Sequence, residues 1–211
     1  MKKTLIIPLG ENCIPRTILT RYGIKKHKIF GEKTYPFDFA VFGMKEITKS
    51  LKTDFKEVFD DLEFVEAGKN SYWKKLPECI FFYREKNIGK NDTGKLIRTY
   101  EKRFKNFRKA MLSKLPVLFV QIIGDCEDIE NQYKELRLLR DGRPFKIVVI
   151  DTQDIIKNNY YEDDIKILKL LYPSEEYKLN WWKKEYYESD EGKKFESAIA
   201  EFCRNIIENN F

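Results

Sequence analysis

The stretch that decides the fold runs from residue 116 to residue 151 and reads PVLFVQIIGDCEDIENQYKELRLLRDGRPFKIVVID. Residues 116–123 and 145–150 are short runs of β-branched and apolar side chains, and residues 128–140 between them have the spacing of an amphipathic helix. Strands that are apolar on both faces and are joined through a helix are typical of parallel sheets covered on both sides. The sequence therefore predicts an α/β fold in which helices flank a mostly parallel sheet.

The N-terminus repeats this pattern and adds a tight turn. Residues 4–9, TLIIPL, predict a buried strand that stops at Gly10. A helix should follow, because Pro15 suits the first helical turn and apolar residues recur at helical spacing up to Gly23. Further elements are predicted as helices at residues 44–59, 95–114 and 193–207 and as an extended run at residues 79–83.

Composition limits the class of protein. Hydrophobic residues make up 42% of the chain and charged residues 35%, which excludes a disordered chain. The net charge of +6 is spread along the sequence and not concentrated in one segment, which argues against a nucleic-acid partner. No run approaches the roughly 18 apolar residues of a membrane span. A chain of 211 residues without a linker or repeat is interpreted as a single three-layer domain over residues 1–211.

The cysteines argue against a metal centre and a redox motif. Cys13, Cys79, Cys126 and Cys203 are widely separated and form no CxxC pair, so we expect neither a metal nor another cofactor. The apolar run at the N-terminus is interrupted at Gly10, which makes it too short for an export signal. We therefore expect a cytoplasmic protein whose thiols are reduced.

The segment LGENCIPR at residues 9–16 carries the main candidate for chemistry. It places the thiol of Cys13 just past the carboxyl end of a strand and at the start of a helix, where free N–H groups and the helix dipole stabilise a thiolate. The same N–H groups, with Asn12 and the Gly10 turn, could hold the oxyanion of an acyl-transfer intermediate. We expect Cys13 to lie in a pocket at this edge of the sheet. The alternative is a small side chain that fills a packed turn.

Four further residues are candidates for supporting roles. Asp38 lies in an aromatic, proline-containing loop and could orient a base or, alternatively, accept backbone N–H groups in a turn. Arg16 could hold a carboxylate or phosphate, or be an ordinary surface cation. Asp151 follows a strand and could orient a substrate or cap the next turn. His27 is the one histidine in the chain and the candidate proton acceptor, although it is also consistent with a solvated loop.

Two of these motifs resemble a known family. LGENC at residues 9–13 and YPFD at residues 35–38, with the helix between them, resemble the bacterial family of putative papain-like cysteine peptidases, itself of unknown function. The resemblance implies a cysteine nucleophile at Cys13 and a polar partner at Asp38. The chain has Phe39 where that family usually has tryptophan, and Tyr-Arg-Glu at residues 83–85 where a His-Asp pair is expected.

Two functions follow from these residues. The first is a cysteine-dependent hydrolase or acyltransferase, peptidase-like or esterase-like, that acts on a small-molecule or peptide substrate. The second is a catalytically degenerate binding module that recognises a carbohydrate or a phosphorylated ligand at the same crevice, and the absence of a histidine late in the sequence favours it. The sequence identifies neither the substrate nor the oligomeric state.

Overall fold

The computed structural model describes residues 3–10, 12–26, 29, 31–67, 70–75, 80–82, 88, 90–123, 128–156, 163–209 and 211. In chain order the elements are β1 (Leu5–Pro8), α1 (Ile14–Arg21), β2 (Val41–Phe42), α2 (Met44–Lys52), β3 (Glu63–Ala67), β4 (Asn70–Lys75), β5 (Ile80–Phe82), α3 (Thr93–Met111), β6 (Val117–Ile123), α4 (Ile129–Arg140), β7 (Phe145–Asp151), β8 (Ile165–Lys169), α5 (Glu175–Asn180), α6 (Lys184–Tyr187) and α7 (Asp190–Asn209). The 3-10 turn Pro36–Asp38 lies between α1 and β2 and is called the 3-10 turn below.

The centre of the fold is a parallel four-stranded sheet in the order β1-β6-β7-β8, called the main sheet below. A smaller antiparallel sheet has the order β2-β5-β4-β3. All seven residues of β6 are buried, as expected for a strand covered on both faces. The structure confirms the predicted α/β class with a mostly parallel sheet and flanking helices.

The two faces of the main sheet bury different helices. On one face, called the α1 face, Leu118 and Val120 of β6 pack in an apolar cluster with α1 and α7. On the other face, called the α4 face, Phe119 and Ile123 of β6 pack in a cluster with α2, α3 and α4. Alternate side chains of a strand point to opposite faces, so β6 contributes to both clusters.

This arrangement makes a switch point between β1 and β6. The helix that follows β1 packs on the α1 face, and the helix that follows β6 packs on the α4 face. The segments that follow β1 and β6 therefore diverge beyond the carboxyl ends of these two neighbouring parallel strands. Open α/β sheets bind their ligands at such a switch point. The candidate residues at the β1 turn lie at this position.

The predicted helix over residues 44–59 is shorter in the structure. It ends as α2 at Lys52, and turns follow in which Asp54 and Phe55 have left-handed φ angles of 50° and 63°. The Phe55 ring stacks on Phe104 with 4.4 Å between centroids, so burial of the ring prevails over continuation of the helix. The strands β3 and β4 were not predicted, because their side chains show little apolar alternation. The run at 79–83 forms β5, and its two ends lie outside the described residues.

A buried polar cluster attaches α1 to the C-terminal helix. The Glu196 carboxylate of α7 accepts a hydrogen bond of 3.1 Å from the Tyr177 hydroxyl and pairs with the Arg21 guanidinium. Burial raises the pKa of Glu196 above its usual value, and the hydrogen bonds from Arg21 and Tyr177 oppose this shift only in part. The ionised form of Glu196 is therefore less favourable in the folded protein than in the unfolded chain.

We expect stability to fall as pH rises through the titration of Glu196. A raised pKa means that the folded protein holds this proton more tightly than the unfolded chain, so the loss begins near pH 4.5, the ordinary value, and ends above the raised pKa. Glu196→Gln removes the titration and keeps the shape. Urea unfolding from acidic to neutral pH should therefore show wild type losing stability relative to the variant as pH rises. Parallel curves would contradict the assignment.

Candidate active site

Cys13 lies at the start of α1, as the sequence predicted. It is the N-cap residue, and its carbonyl accepts hydrogen bonds from the Thr17 N–H at 3.1 Å and the Thr17 hydroxyl at 3.0 Å. The Asn12 side-chain oxygen accepts a hydrogen bond of 2.9 Å from the Ile14 N–H. Asn12 thus satisfies one of the N–H groups that a helix start leaves open. Its side-chain NH₂ remains the group that could donate to a substrate.

Gly10 allows the chain to turn sharply between β1 and α1. A Cβ at this position would lie 2.5 Å from the Asn12 carbonyl oxygen, so a residue with a side chain would clash with the backbone. The Gly10 carbonyl accepts a hydrogen bond of 3.3 Å from the Phe42 N–H. The turn is therefore attached to the start of the smaller sheet as well as to the main sheet.

The Cys13 side chain is fully buried. It packs on the α1 face with Ile14, Ile18, Leu118 and Val120. The sequence predicted a pocket at this thiol, whereas the structure places Sγ against apolar side chains. The thiol is therefore closed to solvent in this structure.

Arg16 and Asp38 bring the two sequence motifs together. The Arg16 Nη1 atom lies 2.8 Å from Asp38 Oδ2, an ion-pair contact whose angle does not make it a hydrogen bond. Asp38 is fully buried and Arg16 is 8% exposed, so Arg16 is not a surface cation. The Arg16 guanidinium also lies over the Phe39 ring, 4.1 Å from its centroid. The pair fixes α1, one turn after Cys13, to the 3-10 turn.

Asp38 also stabilises the turn that contains it. Its Oδ2 accepts a hydrogen bond of 2.9 Å from the Tyr35 N–H, which is the turn role considered for this residue. Its Oδ1 is buried and has no hydrogen-bond partner in the described part of the chain. Asp38 therefore accepts a backbone hydrogen bond within its turn and is the counterion of Arg16. Its Oδ1 makes no hydrogen bond to the described residues.

Lys25 belongs to the same region and was not identified from the sequence. It is 1% exposed, and its Nζ donates a hydrogen bond of 2.8 Å to the Ile6 carbonyl on the open edge of β1. Burial lowers the pKa of Lys25, while the charges of Asp38 and Glu32 oppose that shift. Nothing in the local sequence distinguishes this lysine from its basic neighbours, because its burial depends on the fold of the loop.

The Asp151 carboxylate is occupied by backbone N–H groups. Asp151 lies at the carboxyl edge of the main sheet, but its oxygens accept hydrogen bonds from the N–H groups of Gln153, Ile155 and Ile156 at 3.2, 3.1 and 2.8 Å. It caps the turn after β7, which was the alternative interpretation. His27, the proposed proton acceptor, lies outside the described residues.

The described residues carry no sign of a metal centre or a membrane span. Within them, no three His, Cys, Asp or Glu side chains are grouped so that they could hold a metal ion. Among the described helices, none has the length and apolar character needed to cross a bilayer.

Comparison with known proteins gives a family. The family described as "Putative papain-like cysteine peptidase (DUF1796)" matches residues 4–153. The match covers more than two thirds of the chain and includes every candidate residue discussed above. No curated protein and no solved structure matches the chain.

Proposed function

Because the chain belongs to the family of putative papain-like cysteine peptidases, we propose that it is a cysteine-dependent hydrolase or acyltransferase whose nucleophile is Cys13. The observation that carries the proposal is the position of Cys13 at the N-terminus of α1, beside the switch point between β1 and β6. Helix N-termini stabilise thiolates, and switch points bind ligands.

The reaction consists of two steps. The Cys13 Sγ forms a bond to the acyl carbon, the leaving group departs with a proton, and a thioester remains. Water or a second nucleophile then attacks the thioester and releases the thiol. The Asn12 NH₂ and backbone N–H groups at the start of α1 would stabilise the oxyanion in both steps. His27 or water takes the thiol proton.

Arg16 and Asp38 serve this reaction as positioning residues. Their ion pair lies one helical turn after Cys13 and fixes α1 against the 3-10 turn. Asp38 acts through Arg16, because Oδ2 is already occupied by the Arg16 guanidinium and the Tyr35 N–H. Their contribution is to set where the thiol lies relative to the oxyanion donors.

The second candidate function is a binding module without catalysis. The full burial of the Cys13 side chain favours it, since a nucleophile must meet its substrate. A phosphorylated ligand fits less well than a neutral one, because the charge of Arg16 is already balanced by Asp38 at 2.8 Å. The two functions differ in whether the Cys13 thiol reacts, which can be measured directly.

We expect Cys13 to react with iodoacetamide faster than Cys203, by about tenfold or more. Both thiols are fully buried in the structure. Cys203 lies inside α7, where burial raises the pKa of its thiol to about 12, whereas Cys13 is the N-cap of α1, and helix ends open at a lower free energy than helix interiors. Mass-spectrometric mapping of the labelled protein at neutral pH measures both rates in one sample, so Cys203 is the matched control.

The acyl step is tested with p-nitrophenyl acetate. Intact-mass spectra of the protein after brief exposure should show one acetyl group on Cys13, and the Cys13→Ala variant should lose it while the Cys203→Ala variant keeps it. Acetylation that persists in Cys13→Ala, or labelling of Cys13 no faster than of Cys203, would contradict the hydrolase proposal and leave the binding module.

A further inference from the structure

A cavity of about 480 Å³, called the edge cavity below, lies where β7 and β8 begin. One wall consists of the last turns of α4 and the turn into β7, with Arg137 and Arg143. The other wall is the segment directly before β8, with Asp163 and Asp164. Because the strands of the main sheet are parallel, this edge is opposite to the one that carries Cys13. Ligand sites have volumes of roughly 300–1,000 Å³, so the edge cavity has room for a small molecule.

The walls of the edge cavity are fixed by contacts among its own residues. The Lys146 ammonium of β7 donates a hydrogen bond of 2.8 Å to one oxygen of Asp164, and the Tyr133 hydroxyl of α4 donates one of 3.4 Å to the other. The Arg143 Nη1 atom donates a hydrogen bond of 3.0 Å to the Arg140 carbonyl at the end of α4. These contacts join α4, the start of β7 and the segment before β8, so a ligand meets walls that are already formed.

Two charged groups of the edge cavity are left open. Arg137 and Asp163 are both exposed. Among the described residues, neither the Arg137 guanidinium nor the Asp163 carboxylate makes a hydrogen bond or an ion pair. The Lys146 ammonium, by contrast, is paired with Asp164. A ligand can therefore pair with Arg137 and Asp163 without breaking an existing contact.

The charges of the edge cavity limit the kind of ligand that fits. Its cations are Arg137, Arg143 and Lys146. Its carboxylates are Asp163 and Asp164. A polyphosphate would be repelled by the two carboxylates, and a polyamine by the three cations. Guanidinium groups bind carboxylates and carboxylates bind ammonium groups through charge-assisted hydrogen bonds, so a molecule with one group of each sign fits both walls.

We propose that the edge cavity binds a zwitterion of the amino-acid or short-peptide class, whose carboxylate pairs with Arg137 and whose ammonium pairs with Asp163. The two residues belong to opposite walls, so the ligand lies across the cavity. The site shares no residue with the proposed acyl chemistry at Cys13 and lies at the other edge of the main sheet. It therefore does not depend on that chemistry.

Glycylglycine and two derivatives of similar size test the pairing. In ¹⁵N-labelled protein, the N–H resonance of Gly142 reports on binding, because Gly142 lines the edge cavity. Glycylglycine should shift this resonance in a saturable manner. N-acetylglycylglycine, which has no ammonium, and glycylglycinamide, which has no carboxylate, should each bind more weakly by about tenfold or more. Absence of a saturable shift, or equal affinity for any derivative and glycylglycine, would overturn the proposal.

Variants that remove one charge assign the two ends of the ligand. Asp163→Asn should abolish the preference for glycylglycine over N-acetylglycylglycine, because an amide does not attract an ammonium. Arg137→Gln should likewise abolish the preference over glycylglycinamide. Lys134→Gln is the matched control and should keep both preferences, since Lys134 is exposed on α4 and does not line the edge cavity. If Asp163→Asn or Arg137→Gln kept the wild-type preferences, or Lys134→Gln lost them, the assignment would be wrong.

Cys13→Ala excludes a response from the other edge of the sheet. Glycylglycine contains an amide bond, so it could also meet the thiol of a cysteine-dependent hydrolase. The Cys13→Ala variant should bind glycylglycine with the affinity of wild type and show the same shift at Gly142. Loss of the shift in this variant would place the binding at the Cys13 turn and would overturn the edge site. Retained binding in a protein that p-nitrophenyl acetate does not acetylate would support the edge site and contradict the hydrolase proposal alone.

Discussion

Replacing Arg140 by methionine is expected to lower the free energy of unfolding by about 4 kcal/mol. The Arg140 side chain is fully buried, and its guanidinium donates hydrogen bonds to five backbone carbonyls. The acceptors and distances are Ala110 at 2.7 Å, Met111 at 2.9 Å, Ser113 at 3.1 Å, Leu115 at 3.0 Å and Pro144 at 2.9 Å. No other side chain can replace this set.

The loss of unfolding free energy is large because five backbone carbonyls lose a hydrogen-bond donor at once. Four of them belong to the last turn of α3 and the residues after it, where a helix exposes unpaired acceptors and the negative end of its dipole. Burial lowers the pKa of Arg140 to about 10, so the guanidinium remains charged at neutral pH. Methionine fills similar space but donates nothing. The Ala110 and Pro144 carbonyls keep a backbone donor, the N–H groups of Ser113 and Val117, whereas the other three carbonyls lose the donor that the guanidinium supplied.

Urea unfolding measures the loss, which corresponds to a drop of about 8–16 °C in the thermal midpoint of a chain of this size. Arg137→Met is the matched control, because Arg137 lies one turn earlier in α4 and is exposed. Its replacement should cost less than about 1 kcal/mol. If Arg140→Met were no more harmful than Arg137→Met, the carbonyls would have to be satisfied without the guanidinium.

The strands of the main sheet and the start of α1 could be predicted because local patterns determine them. The apolar runs around Val117 and Phe145 can be buried only in a covered sheet, and Gly10 with Pro15 specifies a strand-to-helix turn. These features place Cys13 at a helix N-terminus with no knowledge of the tertiary structure. The smaller sheet was missed because β3 and β4 pair mainly with each other and carry few apolar residues to signal it.

The burial of the charged residues could not be predicted in the same way. Arg140, Lys25 and Arg16 are arginines and lysines in polar segments, and nothing local distinguishes them from exposed neighbours. Their partners are backbone carbonyls or carboxylates that come close only in the folded chain. The position of Asp38 opposite Arg16 likewise depends on how the 3-10 turn packs against β1. The same limit explains why the sequence left two interpretations of Cys13, a thiol in a pocket and a small side chain in a packed turn, and could not decide between them.

Asp38→Asn is expected to cost about 3 kcal/mol of unfolding free energy. The substitution keeps the shape and removes the charge, so the Arg16 guanidinium, 8% exposed, loses its counterion. The new NH₂ group must face either that guanidinium or the buried position of Oδ1, where the described residues offer no acceptor. Asp54→Asn is the matched control, because its pair with Arg108 at 2.7 Å is about half exposed on both sides and should be worth less than about 1 kcal/mol.

A double-mutant cycle with Arg16→Met separates the pair from its surroundings. Arg16→Met alone leaves the fully buried Asp38 carboxylate without its cation, so it should be as harmful as Asp38→Asn. The double variant removes both charges and should cost less than the sum of the two, by about 1–3 kcal/mol. Additive effects would mean that the 2.8 Å contact contributes nothing to stability.

The same variants report on the role of the pair at Cys13. If the ion pair holds the N-terminal turns of α1 in place, Asp38→Asn should change the rate at which iodoacetamide labels Cys13 and leave the rate at Cys203 unchanged, since Cys203 lies in α7. If the loss of stability acts by global unfolding, both rates should rise together. A selective change at Cys13 therefore identifies Arg16 and Asp38 as positioning residues for the thiol, and a parallel change identifies them as structural residues alone.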